Sequence, residues 1–216
     1  MTERLFCIFA EIPSCEVFAD IACDHGYIAR AMLDEHMCNR AYVADISEKS
    51  LLKAETLLSE HIKNGIAQSF VSDGFDNVPK ADCALVAGIG GALIIDILNR
   101  AKSADKLPET LVLQPMKHCD RVRRAVVRLG YYIKKDFTVK ADGQFYDIIV
   151  LVKGQDKISD EEIEFGRTNL SERPLAFKEK ISEKIGKLVS YTESNTMNRQ
   201  TREKMLRKIK ELEKYV

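Results

Sequence analysis

What this sequence most plainly lacks is an excess of charge. Thirty-three basic residues face 33 acidic ones, so the formal net charge is zero. Nothing global marks a nucleic-acid binder, and any such surface must come from local segregation of charge. The Cys-x-x-Cys spacing of a metal knuckle is also missing. Six cysteines (Cys7, Cys15, Cys23, Cys38, Cys83 and Cys119) are scattered, mostly among apolar neighbours. That suits free thiols in a reducing compartment better than a disulfide framework. The histidines, His25, His36, His61 and His118, share no ligand spacing, so no metal is expected. No apolar run approaches the roughly 18–20 residues of a membrane span. The opening M-T-E-R-L-F-C-I-F-A carries charge in its first turn, which argues against a secretory signal. A cytoplasmic protein without membrane attachment is the expectation.

What is present is patterning. A chain of 216 residues, 45% apolar and 31% charged, has room for one α/β domain and an appendage. Leu5, Ile8, Phe9 and Ile12 predict a short amphipathic helix over residues 3–12, stopped by Pro13. Short buried strands are predicted over 17–21, 41–46, 67–71, 82–87 and 110–114, alternating with helices. Ser47 is a good N-cap for the helix carrying Leu51, Ala54, Leu58 and Ile62. Runs over 131–140 and 144–153 flank A-D-G, a hairpin signal. Alternation implies a mostly parallel α/β sheet with helices on both faces, and the hairpin adds an antiparallel strand. Seven strands with that ending resemble the Rossmann-like methyltransferase sheet, a likeness of fold alone. Beyond about residue 155 the strand pattern stops and charge is dense. A helix is predicted over 159–171, then a longer helical stretch after Pro174. Phe177, Ile181, Ile185 and Leu188 form one stripe, and Met205, Ile209, Leu212 and Val216 another, at coiled-coil-like spacing. T-E-S-N-T-M-N between them reads as a helix-hairpin turn. The expected division is 1–154 and 155–216, the second part a small helical coiled-coil domain.

In an open α/β sheet ligands sit at the carboxyl ends of the strands. Here the first strand ends in Asp20, Ala22, Asp24, His25 and Gly26. Asp45 and Ile46 end the second, with Asp45 nineteen residues beyond Gly26, near the ~20 expected of an acid that binds ribose hydroxyls. Asp73 and Gly74 follow the third strand, Ala87, Gly88 and Gly90 the fourth, and Gln114 ends the fifth. Each has a plainer reading, as a cap, a turn or a tight connection. Their common position on one edge makes the site. Asp24 decides its class, because a pyrophosphate wants backbone N–H groups and no anion at this loop. A carboxylate there suits a cation, such as a sulfonium or an α-ammonium. Whether Asp24 touches cofactor or substrate, or caps the next helix, stays open at this point.

D-I-A-C-D-H-G-Y-I, V-A-D-I, S-D-G-F, V-A-G-I-G-G-A-L-I, L-Q-P and G-Q-F-Y-D-I occur in this order, after Arg4-Leu5. Together they resemble the bacterial tRNA (adenine-N1)-methyltransferase family that modifies adenine 22. Ala22 stands where that family usually has glycine, Ile89 where it has methionine, and Met116 where asparagine follows L-Q-P, so no catalytic role falls on position 116. The resemblance implies a methyltransferase domain with a C-terminal coiled coil. It implies S-adenosylmethionine as cofactor, held by the strand-end residues above, and tRNA as substrate. Adenine N1 has an in-plane lone pair that attacks a methyl sulfonium without a strong base, so the enzyme's work is alignment and exposure of the base edge. Asp24 first and Gln114 second are the candidates to hold the exocyclic amine. Positive surface for RNA is expected from Arg4, from Arg121, Arg123, Arg124 and Arg128, and from residues 175–216, where eleven Lys or Arg meet six Glu, a net of +5. The competing readings are a methyltransferase of the same fold acting on a small molecule or protein, and a non-catalytic binding module. A monomer is expected, because two stripes in one tail can satisfy each other.

Overall fold

A computed structural model of the chain describes residues 1–193 and 198–216. The core of T-E-S-N-T-M-N, residues 194–197, lies outside the described residues. The chain opens with α1 (Glu3–Phe9), capped by the Thr2 hydroxyl, which accepts the Leu5 N–H at 3.3 Å. It then alternates β1 (Cys15–Ile21), α2 (Tyr27–Asp34), β2 (Cys38–Asp45), α3 (Glu48–Leu57), α4 (Ser59–Lys63) and β3 (Ala67–Val71). Next come β4 (Cys83–Ile89), α5 (Gly91–Ser103), β5 (Thr110–Pro115), α6 (Cys119–Arg128), β6 (Tyr131–Ala141) and β7 (Gln144–Lys153). Ser47 caps α3 as its sequence position suggests, its Oγ accepting the Ser50 N–H at 3.2 Å.

The sheet has seven strands in the order β3-β2-β1-β4-β5-β7-β6. Every pair from β3 to β5 is parallel, and β7 alone runs antiparallel to both its neighbours. Because side chains alternate along a strand, the sheet feeds two cores. Phe18, Val43, Leu85 and Val112 pack with Ile28, Met32, Leu51 and Ala54 from α2 and α3. Ala19, Ala44, Val86 and Leu113 pack with Ile94, Leu98, Val122 and Val126 from α5 and α6. Burial on both faces explains why these strands read as continuous apolar runs. Asp142 and Gly143 join β6 to β7 with φ of 49° and 73°, the two left-handed residues that a tight I′ hairpin requires.

The C-terminal region departs from expectation at three points. The helix expected over 159–171 is two helices, α7 (Asp160–Phe165) and α8 (Arg167–Glu172), broken at Gly166. Gly166 sits at φ 91°, and a Cβ there would collide with the Asp136 carboxylate and the Arg123 guanidinium. The second departure is in the stripe of α10 (Arg199–Leu212), which packs against α9 (Leu175–Thr192). Ile209 and Leu212 are buried but Val216 is exposed, and Tyr215 replaces it against Phe165, Phe177 and Ile181. After Leu212 the chain tightens into a 3₁₀ turn, Glu213–Tyr215, whose three-residue period brings position 215 rather than 216 inward. Third, Arg123, expected to contribute to a positive surface for RNA, is buried. It is 1% exposed, donates from Nε to Asp136 Oδ2 at 2.7 Å and from Nη1 to the carbonyls of Ile163 and Glu164 at 3.2 and 3.3 Å. Arg121, Arg124 and Arg128 are on the exposed side of α6, and Arg123 lies on the side that meets β6 and α7.

Candidate active site at the strand ends

The strand order reverses between β1 and β4, and the crevice beyond their carboxyl ends is where open α/β sheets hold ligands. A cleft of about 560 Å³ lies there, walled by the loops after β1, β2, β3 and β4 and by the start of α1. The first loop curls through left-handed residues at Ala22, Asp24 and Gly26, with φ of 58°, 48° and 71°. Asp45 pins that loop. Its Oδ2 accepts the Asp24 N–H at 3.1 Å and its Oδ1 accepts the Ser47 N–H at 2.9 Å. Each of those oxygens keeps a further lone pair, and Asp45 lines the cleft.

Asp24 does not cap α2, whose N-cap is Gly26 with no side-chain hydrogen bond. Its side chain is 60% exposed, with Oδ2 2.7 Å from His25 Nδ1 and Oδ1 accepting from Lys53 Nζ at 3.2 Å. Slight burial would raise the Asp24 carboxyl, but the hydrogen bonds from His25 and Lys53 outweigh it and hold it below the ordinary value. Asp24 is therefore an ionised acceptor on the rim. His25 stacks on Tyr27 at 5.3 Å and 9° between planes.

Asp20 is the opposite case. It is 4% exposed at the base of the cleft, and burial pushes its carboxyl up to about 7, with the Asp45 charge adding to the rise and the Ala29 N–H opposing it. An open chain releases this proton near 3.8, so between there and about 7 the native state binds the extra proton. The resulting stabilisation is complete below the lower value and is lost as pH rises through the upper one. Asp20→Asn is expected to flatten this slope, gaining up to about 4 kcal/mol relative to the parent at pH 8 and nothing at pH 4. Urea titrations at the two pH values measure it, and an unchanged slope in the variant refutes it.

The other strand-end residues divide. Ala22, His25, Ile46, Gly74, Ala87 and Gly88 line the cleft. Gly26, Gly90 and Gln114 do not. Gly26 packs beneath α3, Gly90 is the N-cap of α5, and Gln114 is fully buried behind the wall. Asp73 lines the cleft, but its carboxylate is gripped by Arg100, Oδ1 to Nη2 at 2.8 Å and Oδ2 to Nη1 at 2.9 Å, which lowers its pKa. It braces the loop. The sequence reading missed Ser50, Ser72, Tyr27 and Leu93, which also line the cleft. Leu93, like Ile46, is a large apolar side chain left exposed at the rim, which a flat apolar ligand could cover.

The donor set is rich in carboxylates and has no basic phosphate cradle at the first loop. It can accept hydrogen bonds from an ammonium and from hydroxyls, and it disfavours a pyrophosphate. Among the described residues no cluster of three or more His, Cys, Asp or Glu is arranged to hold a metal. No helix of the described residues is long and apolar enough to cross a membrane. All six cysteines are free thiols. Outside the cleft, Arg121, Arg124 and Arg128 are exposed along α6, with Arg124 3.3 Å from Asp160.

The chain is similar to known proteins. A family model described as a methyltransferase domain matches residues 1–149. The chain is 29% identical over 156 residues to the tRNA (adenine(22)-N(1))-methyltransferase of Bacillus subtilis, across 71% of this chain and 66% of that one. It spans slightly less than two thirds of the length of the curated relatives it matches, 66% and 64%. Its structure is similar to that of the B. subtilis m1A22 tRNA methyltransferase, with a TM-score of 0.82 and 25% identity, covering 100% of this chain and 98% of that one. A Streptococcus pneumoniae protein in complex with S-adenosyl-L-methionine superposes with a TM-score of 0.87 over 98% of this chain and 99% of that one, at 24% identity, a likeness of fold.

Proposed function

The chain belongs to the methyltransferase domain family, and from that premise we propose that it transfers a methyl group from S-adenosylmethionine to N1 of an adenine in tRNA, adenine 22 being the target. The observation that carries this reading is the carboxylate-lined first loop at the switch point. Asp24 stands where a phosphate-binding protein would place bare backbone, and Asp20 and Asp45 line the cleft beside it. They fit a cofactor bearing a sulfonium and an ammonium, and the exposed Ile46 and Leu93 fit its flat base. Once bound, that cofactor supplies an electrophilic methyl group. The protein's part is to align and to neutralise. Asp45 has lone pairs left for ribose hydroxyls, Asp24 offers an ionised acceptor to an exocyclic amine at the rim, and the carboxylates offset a ring that becomes cationic. Arg121, Arg124 and Arg128 on α6, with the basic tail, supply the phosphate-binding surface.

On this reading the protein is a cytoplasmic monomer, with residues 1–154 catalytic and the helical coiled coil of 155–216 assisting RNA binding. The similarity of the Bacillus subtilis enzyme supports adenine 22. The deciding assay incubates the protein with S-adenosylmethionine and unmodified tRNA, digests the RNA and reads nucleosides by mass spectrometry. One 1-methyladenosine per susceptible tRNA, lost when adenine 22 is replaced, is expected. Cofactor binding by calorimetry without any methylated nucleoside would overturn the tRNA assignment.

A further inference from the structure

The buried Gln114 and the half-buried Arg4 form a contact that alignment of a substrate does not by itself require. Arg4, on the first turn of α1, donates from Nη1 to Gln114 Oε1 at 2.5 Å across 110 residues of sequence. Gln114 is 0% exposed, and among the described residues its Nε2 has only the Met116 sulfur at 3.6 Å. Arg4 lines the cleft and Gln114 does not, so the guanidinium screens the amide from it. Arg4 passes over Gly88, its Nη1 3.5 Å from where a Cβ would stand there, an ordinary van der Waals distance. The guanidinium also faces the Tyr146 ring, 5.6 Å from its centroid. Among the described residues Arg4 has no carboxylate partner, although most other arginines near the cleft and the sheet edge have one.

Two consequences conflict with a fixed Arg4. While Arg4 covers it, the fully buried Gln114 Oε1 cannot reach an adenine amine in the cleft. An uncompensated guanidinium beside the target also opposes a ring that gains positive charge on methylation. Both conflicts end if Arg4 takes a phosphate. A phosphate brings a full opposite charge and can engage the guanidinium fork through two parallel bonds, which the neutral amide oxygen cannot, and it neutralises the guanidinium. We propose that Arg4 is a substrate-responsive positioning residue, which holds Gln114 shut in the free protein and releases it when its guanidinium exchanges the amide for an RNA backbone phosphate. This rests on the tRNA reading above, and it makes entry of RNA the event that completes the site.

The test compares the parent protein with Arg4→Met and Arg4→Lys at several salt concentrations, with cofactor calorimetry confirming that each variant is folded. For Arg4→Met the expected result is a rise of about 10-fold in KM for tRNA, a kcat reduced by less than about 3-fold, and a salt dependence of affinity shallower by about one phosphate. Arg4→Lys, which keeps the charge without the fork, should fall between. A kcat lowered by about 30-fold or more with KM and salt slope unchanged would overturn the exchange and make Arg4 a fixed support of Gln114. No change in any of the three would overturn it too. Binding of fluorescent tRNA, read by anisotropy, decides the phosphate step apart from catalysis. If the parent protein binds tRNA but methylates none, the functional reading fails while the slope difference still tests Arg4, and equal affinities and slopes refute it.

Discussion

Replacing Asp24 by alanine is expected to lower turnover on tRNA at least about 100-fold, the scale on which a positioned polar group acts in a water-poor site, while cofactor binding and the fold survive. The side chain is the ionised acceptor at the rim, and its bonds to His25 and Lys53 orient it without using every lone pair. Alanine has a second effect, because position 24 sits at φ 48°. An L-residue with a Cβ costs about 1–2 kcal/mol there, whereas asparagine tolerates it. Asp24→Asn therefore separates the roles. If Asp24 only accepts a hydrogen bond from the exocyclic amine, the asparagine oxygen restores much of kcat. If its charge also offsets the cationic ring, Asn fails nearly as badly as Ala. Steady-state kinetics on unmodified tRNA decide between these, with a thermal melt to show that both variants fold. Near-normal methylation by the alanine protein would remove Asp24 from the chemistry.

The reach of the sequence can be judged from the same residues. Local features read correctly because their causes are local. Ser47 caps because its hydroxyl is one turn from the Ser50 N–H, and Asp142-Gly143 turns because both residues accept positive φ. The strand ends were legible as a set because parallel topology puts all of them on one edge. What failed depends on partners distant in sequence. Nothing near Asp73 in sequence announces that Arg100, 27 residues on, closes over its carboxylate. Gln114 reads as a mouth residue until Arg4 covers it. Gly166 reads as one residue within a helix until the Asp136 carboxylate proves to fill its side-chain space. Spacing tells which face of an element a residue is on, but not what comes to lie against that face.

Arg123 is the sharpest case, and its replacement should give the largest loss of stability. Arg123→Ala is expected to cost about 3–5 kcal/mol, the scale for breaking a buried ion pair, because it leaves the Asp136 carboxylate buried without a counter-charge. Asp136 is itself 0% exposed, and the Ile163 and Glu164 carbonyls lose a donor in the same step. Against a total stability of about 5–15 kcal/mol, a loss of this size lowers Tm by about 10 °C in a chain of this length. The loss should fall first on the C-terminal helices. Arg123 holds the end of α7, beside the Asp136 and Thr138 N–H groups, which donate to Thr168 Oγ1 and Asn169 Oδ1 at 2.9 Å. Hydrogen exchange should show α7 and α8 opening before the sheet. Removing both charges as Arg123→Met with Asp136→Leu should recover much of the loss, since an apolar pair of similar volume needs no counter-charge. An RNA-contacting arginine would behave in the reverse way, with Arg123→Ala keeping the parental Tm and losing affinity for tRNA. Thermal melts of the single and double variants, set beside tRNA binding, separate a structural anchor from a phosphate contact.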